Sequence, residues 1–404
     1  MNKIICFISL LLVFSFTAVE GQNLQQLGYY NVNGIHAMSS KANYIILGNG
    51  SIVDISDPAS PTLKGSLSLS AFSTSVLVSE NYAYFGTGMD VNLIIADIAD
   101  EAFPLKKSTI NFPNSGGGIF GLAKSNNTLF LAMGSEGVYS VDITNKANPI
   151  VLDSIIIPNG QARDIAVKDN YVYVAHVDGL KVIDITNPSN INVISTIGSG
   201  YYSIDIDLIN NKAFLGKSSG GVDVFNISNP SAPSPAFAVP NGSGSAWDVK
   251  YSNNLLFVAT NSSGLFVYKI TGNSATETSH FPNTGNGQSF SVALQDSLIL
   301  LSGLINGVAI LHSDSLYIMG VENDIISDQL IIFPNPAGDH IKFSNNILPG
   351  DEIEILNTEG RSFLKVQYHQ PTNRIDISGL PAGAYIVQFK NAKGVLLERI
   401  IKVE

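Results

Sequence analysis

Three aspartates at corresponding points of a repeated phrase, Asp164, Asp205 and Asp248, are the side chains whose type and spacing best suit chemistry. Carboxylates converging from successive repeats could hold a hard cation such as calcium, or serve as the acid and base of a hydrolase. The same residues could instead accept backbone N–H groups and cap the turn they follow. One position earlier in their repeats stand His36, Phe120, Arg163 and Trp247, bulky and chemically unlike one another. Trp247 beside Asp248 would suit stacking on a carbohydrate, or packing between repeats. Other catalytic signatures are missing. The six histidines (His36, His176, His280, His312, His340 and His369) include no pair at i, i+2 or i, i+4. There is no P-loop and no glycine-rich dinucleotide turn between strand and helix, and the single tryptophan excludes a Trp-Asp repeat.

The elements that position these residues recur. GLKVIDITNPSN (179–190) has companions at 50–61, 92–104, 137–149, 221–233, 264–273 and 307–315. Aligned on Asp54, Asp97, Asp142, Asp184, Asn226, Lys269 and His312, the copies lie 43, 45, 42, 42, 43 and 43 residues apart. A period in this range with strand-like content means propeller blades of four strands. The fourth repeat reads DIAV, YVYVAHV, LKVIDIT and INVISTI, parted by turns at 168–170, 178–179 and 187–190. β-Branched and aromatic residues fill these runs, and no stretch keeps a helical period. In Asp57-Pro58, Asn187-Pro188 and Asn229-Pro230, Pro presets φ and the Asx side chain can accept a backbone N–H, so this phrase reads as a structural turn. The segment LQQLGYYN (24–31) looks like a fourth strand lacking its first three, and the last copy ends after its third. Pairing the two would close the ring and hide the sheet edges.

Aligning on the second strand gives the column His36, Thr74, Phe120, Arg163, Ile204, Trp247, Ser289. The next column is Ala37, Ser75, Gly121, Asp164, Asp205, Asp248, Phe290. Both sit at the start of the innermost strand, where a propeller opens onto its central channel. His36, Phe120, Arg163 and Trp247 are therefore the candidate ligand-binding mouth. Asp164, Asp205 and Asp248 beneath them are the candidate cation site.

Composition limits the partners. Residues 1–22 read as a secretory signal peptide: Lys3, then an apolar run, then small residues from Ala18 to Gly21. No later segment is long and apolar enough to span a membrane, so the mature chain is expected not to be an integral membrane protein. The only cysteine, Cys6, lies within that leader, leaving neither disulfides nor a thiolate site. Residues 23–330 carry 13 Lys+Arg against 24 Asp+Glu, whereas residues 331–404 carry 8 of each. An acidic repeat region repels phosphate backbones, which argues against nucleic acid.

VYVAHVDGLKVIDITNP (172–188) resembles the LVIVD-repeat family, whose blades follow the pattern VYVA…GLxVIDVSNPxxP, and the likeness extends over about residues 24–312. Copies six and seven depart from it, losing the Asp and the Asn-Pro turn. The resemblance implies a propeller scaffold of exported and surface proteins, with no common catalytic activity. After residue 330 come short alternating strands, QLIIF, HIKFS, EIEIL, FLKVQY, RIDIS, AYIVQF and ERIIKV, which suggest a small β-sandwich. FPNPAGDHIKF (333–343), IEILNTEGR (353–361), ISGLPAGAYIVQF (377–389) and the terminal RIIKV resemble the C-terminal sorting domain of the type IX secretion system of Bacteroidetes-type bacteria. That likeness implies secretion to the cell surface or medium through the type IX machinery.

The expected chain is all-β. It comprises a signal peptide at 1–22, a seven-bladed propeller at 23–317, a linker at 318–330, and an Ig-like β-sandwich at 331–404 that serves secretion. The expected role is a non-enzymatic exported binding or scaffold protein with an unknown protein or glycan ligand. The alternative is an extracellular hydrolase of glycan or peptide using propeller-face carboxylates.

Overall fold

Short two-residue loops between the first and second strands set the pattern of six of the seven sheets in the repeat region. Where the first strand turns back into the second, the residue opening the loop sits in the left-handed region: Ala42, Glu80, Asn126, Asp169 and Asn253 have φ between 48° and 56°. That backbone favours Asn and Asp, which explains the recurring Asp-Asn and Asn-Asn pairs. The loop's Asn carbonyl then accepts an N–H at the end of the third strand or just beyond it. Asn43, Asn81, Asn127, Asn170, Asn211 and Asn254 hold Ile55, Ile98, Ile143, Ile185, Ile227 and Ile270 at 2.7–2.9 Å.

The computed structural model describes residues 24–312 and 332–403, apart from 70, 89, 113–116, 209, 241–243, 284–287, 296, 304–306, 334–336, 348–351, 358–360, 368–371 and 392–393. The expected signal peptide and linker lie outside the described residues. Two compact units divide between Gly320 and Val321. Among the described residues there are only strands and turns, and no helix is long and apolar enough to cross a membrane.

In the first unit, seven four-stranded antiparallel sheets follow one another. Their innermost strands are Met38–Lys41, Ser73–Ser79, Gly121–Ser125, Ala162–Lys168, Tyr201–Asp207, Ala246–Ser252 and Ser289–Gln295. Each packs beside the next, and the last packs beside the first, so they ring a channel. The seventh sheet has the expected closure: Gln25–Tyr30 is its outermost strand, pairing with Gly307–His312 from Gln25↔His312 to Tyr30↔Val308. Apolar side chains fill the gaps between sheets. Phe130, Val138, Ala162, Ile165, Val174 and Ile183 form one such layer, and each large aliphatic fully buried contributes roughly 1.5–3 kcal/mol.

The repeated Asp-Pro and Asn-Pro phrase is a structural turn made of two successive Asx turns. Asp184 accepts the N–H of Thr186 at 2.8 Å, and Asn187 accepts that of Ser189 at 3.1 Å. Asp54 and Asp142 do the same, adding the hydroxyls of Ser56 and Thr144, and these bonds hold both carboxyls below the usual range. Each turn docks on the preceding sheet. Ser140 Oγ donates to the Pro188 carbonyl at 2.6 Å, and Ser195 Oγ to that of Pro230 at 3.0 Å. At the closure the approach is tighter still. A Cβ on Gly28 would lie 1.9 Å from the Pro58 carbonyl oxygen. The sixth sheet lacks this turn, and Gly264–Thr271 passes through Gly272, at φ 60°, into Ser274–Phe281.

The second unit has a four-stranded and a three-stranded sheet. Glu352–Asn357 lies between Ser362–Gln367 and Gly383–Asn391, which also pairs with Gly394–Lys402. His340–Ile347 lies between Ile332–Phe333 and Thr372–Asp376. Ile341, Ile353, Ile355, Ile375, Tyr385, Val387 and Ile400 share one core across both sheets. Tyr385 Oη donates to the Pro381 carbonyl at 2.9 Å, tying down the Leu-Pro-Ala-Gly turn.

The channel mouth as candidate functional site

On five inner strands the pairing with the second strand slips by one residue. The slips fall between Ser73 and Ser75, Ala162 and Asp164, Tyr201 and Ser203, Ala246 and Asp248, and Ser289 and Ser291. A bulge of this kind leaves its extra residue unpaired and re-aims the side chain. The bulged residues are Thr74, Arg163, Tyr202, Trp247 and Phe290. In the remaining two sheets, His36 and Phe120 stand ahead of the inner strand at the same offset from the second strand.

Six of these seven positions form an unbroken arc. The Arg163 guanidinium lies 4.9 Å from the centre of the Phe120 ring and 5.3 Å from that of Tyr202. Tyr202 meets Trp247 edge-on at 6.4 Å, and Trp247 meets Phe290 at 4.4 Å. Phe290 in turn contacts His36 at 4.7 Å. Thr74 fills the gap, its hydroxyl donating to the Ile119 carbonyl at 2.7 Å. Trp247 is 36% exposed, whereas Phe290 is buried behind it. Gly134, at φ 54°, lets the third sheet's loop press on Phe120, where a Cβ would come within 3.0 Å of the ring. Burial lowers the His36 pKa, so its imidazole is neutral at neutral pH. Arg163 has no hydrogen-bonding or ion-pair partner among the described residues, and its Nε is buried.

Beneath the arc the aspartates tie each sheet to the next. Asp164 accepts Ile165 N–H at 2.8 Å and, from the following sheet, Ile204 N–H at 3.0 Å. Asp205 accepts Ile206 N–H at 2.9 Å and, across the next boundary, Tyr251 N–H at 2.6 Å. Asp248 Oδ2 accepts both the Ser291 hydroxyl and Val292 N–H at 2.9 Å, while its Oδ1 lies 3.9 Å from Lys250 Nζ. Burial pushes Asp164 up to about 7 despite the pull of Lys250, with Asp248 adding to the rise. Asp205 and Asp248 are raised for the same first reason and restrained by Lys250. Burial alone would lower Lys250, but Asp248, Asp205 and Asp164 outweigh it and hold the ammonium above its usual pKa.

This geometry corrects three expectations. Ile204 and Ser289 do not belong to the ring; both are buried, and Tyr202 and Phe290 occupy their places. The hairpin after Asp207 has four loop residues, 208–211, where other sheets have two, so counting back eight from the second strand stops two residues short. In the seventh sheet Ser297 lies in the turn, and the second strand opens at Leu298, one residue later than the phrase suggested. Asp205 consequently stands level with Lys250, not with Asp164 and Asp248, since Asp205 pairs with Phe214 and Lys250 with Phe257. The cation site fails too. Among the described residues no three His, Cys, Asp or Glu side chains are grouped to hold a metal ion. The aspartate oxygens are directed at N–H groups, a hydroxyl and Lys250, so these residues cap backbone.

Sequence reasoning missed Tyr202, Phe290 and Lys250. A signal for the first two was available in the tripeptides Ser73-Thr74-Ser75, Ala162-Arg163-Asp164, Tyr201-Tyr202-Ser203, Ala246-Trp247-Asp248 and Ser289-Phe290-Ser291. Each places a buried residue before the bulge and a Ser or Asp after it. In four of the five, that Ser or Asp bonds across to the next sheet. Ser75 Oγ donates to the Ile119 carbonyl at 2.7 Å and Ser203 Oγ to that of Ala246 at 3.3 Å, while Asp164 and Asp248 accept as described.

Comparison with known proteins agrees with this architecture. The family described as LVIVD repeat matches residues 43–68, 72–111, 159–197, 202–239 and 243–274. The family described as secretion system C-terminal sorting domain matches residues 331–403. Among solved structures, the chain is similar to the WD40 repeats of RRP9, with TM-score 0.55 and 12% identity over 72% of this chain and 97% of that one. A chain of the mitotic checkpoint complex gives TM-score 0.57 and 10% identity over 77% and 97%. U3-55K gives 0.56 and 11% over 72% and 98%. Likeness at such identity concerns the fold alone. No curated protein sequence matches the chain significantly.

Proposed function

We propose that this chain, which carries five LVIVD repeats in a propeller-like fold and a C-terminal sorting domain, acts as a non-enzymatic binding protein whose ligand engages the channel mouth. The sorting domain marks proteins secreted through the type IX system and then attached to the cell surface or released, so the machinery is one partner of residues 331–403. The ligand is the other. Repeats share one backbone, so specificity resides where they differ, and the bulge positions differ most.

The observation that carries this reading is the arc from Phe120 through Arg163, Tyr202, Trp247 and Phe290 to His36. It combines ring surface, an exposed indole and a cation with no hydrogen-bonding or ion-pair partner among the described residues. Binding is favoured over hydrolysis because the channel carboxylates are already engaged by backbone N–H groups, which leaves no evident acid–base pair. The test is a glycan and protein array probed with the secreted mature chain and with Trp247→Ala and Arg163→Ala. Both substitutions should weaken the wild-type hits while secretion stays normal. Hits indifferent to both would place the function on the outer strands.

A further inference from the structure

We propose that the ligand of this mouth is a glycan carrying a carboxylate, an acidic sugar of the uronic acid type. Arg163 would be its carboxylate receptor and Trp247 its stacking platform. The inference rests on the binding reading above.

The argument begins with Arg163. Its guanidinium is fixed between the rings of Phe120 and Tyr202, so the planar fork is oriented before any ligand arrives. The nearest acid in sequence, Asp164, does not pair with it, because its oxygens accept the N–H groups of Ile165 and Ile204. A cation fixed between two rings, with no hydrogen-bonding or ion-pair partner among the described residues, is therefore ready for an anion supplied from outside. A carboxylate matches the guanidinium fork with two parallel hydrogen bonds.

The rest of the arc says what carries that carboxylate. Trp247 is the exposed ring of this series, held edge-on by Tyr202 at 6.4 Å and backed by the buried Phe290 at 4.4 Å, a platform suited to the C–H face of a sugar ring. Tyr202 and Phe290 meet Trp247 at interplanar angles of 85° and 61°, so neither ring is stacked flat on the indole. The acidic balance of the repeat region opposes densely charged polyanions such as nucleic acid. It leaves room for a ligand with an isolated carboxylate delivered directly to Arg163.

The test is calorimetric titration of the mature protein with a glucuronate-ended oligosaccharide and with its carboxyl-reduced, neutral counterpart. Wild type should prefer the acidic probe by roughly ten- to a hundredfold, as expected for a charge-assisted bidentate pair. Arg163→Gln should abolish that preference, and Trp247→Ala should weaken both probes. Equal wild-type affinities, or no measurable binding of the acidic probe, would overturn the proposal without reliance on any variant. So would a preference that survives Arg163→Gln. An array ligand that depends on Trp247 but not on a carboxylate or Arg163 would sink this inference and leave the mouth reading standing. Ligands indifferent to both residues would sink the mouth reading itself.

Discussion

Replacing Asp164 with Asn should reshape the pH dependence of stability in a direction fixed by the channel. In the folded state burial raises this carboxyl from 3.8 to about 7, so the native protein holds a proton that the unfolded chain has released. A raised folded pKa means stability that is fully present below about pH 4 and lost as pH rises through 7. At 1.36 kcal/mol per unit, the three-unit shift amounts to an upper bound on the order of 4 kcal/mol. His176 works the other way. Its ring is fully buried and, by burial first and Lys181 second, is lowered from 6.5 to about 4, so its contribution is present above pH 6.5 and lost on acidification. The two windows overlap, and their slopes oppose between pH 4 and 6.5. Asp164→Asn removes the first of these slopes and leaves that of His176, together with those of the other raised carboxyls, Asp205 and Asp248, in place. Relative to wild type it should gain up to about 4 kcal/mol between pH 4 and pH 8. About 1 kcal/mol is lost where Asp164 is ionised, since one Asn oxygen cannot replace both carboxylate oxygens toward Ile165 and Ile204. Urea unfolding followed by the fluorescence of Trp247, the chain's only tryptophan, measures this at each pH. Parallel profiles for wild type and variant would refute the reasoning.

Gly28→Ala should destabilise the closure by roughly 1–3 kcal/mol, because the added methyl meets the Pro58 carbonyl oxygen, which belongs to backbone. A shifted urea midpoint would register it, and an unchanged midpoint would mean the closing strand packs differently. Calcium and chelators should leave the melting curve of the mature chain unmoved, since Asp164, Asp205 and Asp248 are occupied by N–H groups and Lys250. A calcium-dependent rise in melting temperature would contradict that assignment. Deleting residues 331–404 should leave the repeat unit folded but retained in the periplasm, because each unit has its own core. Normal amounts of the shortened chain in the medium or on the surface would exclude the sorting role.

Much of the fold was legible because its determinants are local. A loop that needs φ > 0 selects Asn or Asp, an Asx turn selects Asp, Asn and Pro, and both recur at fixed offsets from alternating apolar strands. Even the closing strand was readable, since LQQLGYYN is a fourth strand without a sheet and GVAILH a third without a neighbour. The site was legible only in part. Phe120, Arg163, Trp247 and His36 were found because their sheets keep a two-residue hairpin. Tyr202 was hidden by two extra residues at 208–211, which do not disturb the sheet but do shift any count made across them. Lys250 was invisible for another reason: its meaning lies in carboxylates on other strands, which only closure of the ring brings near.

The sole tryptophan stands in the middle of the proposed binding arc, so its emission tests the central claim directly. The secreted mature protein should be titrated with a ligand identified on the array, with Trp247 fluorescence and acrylamide quenching followed alongside calorimetry. The account predicts a saturable change in emission, reduced quenching, and an affinity equal to the calorimetric one. Saturable binding in the calorimeter with Trp247 emission and quenching unchanged would contradict it.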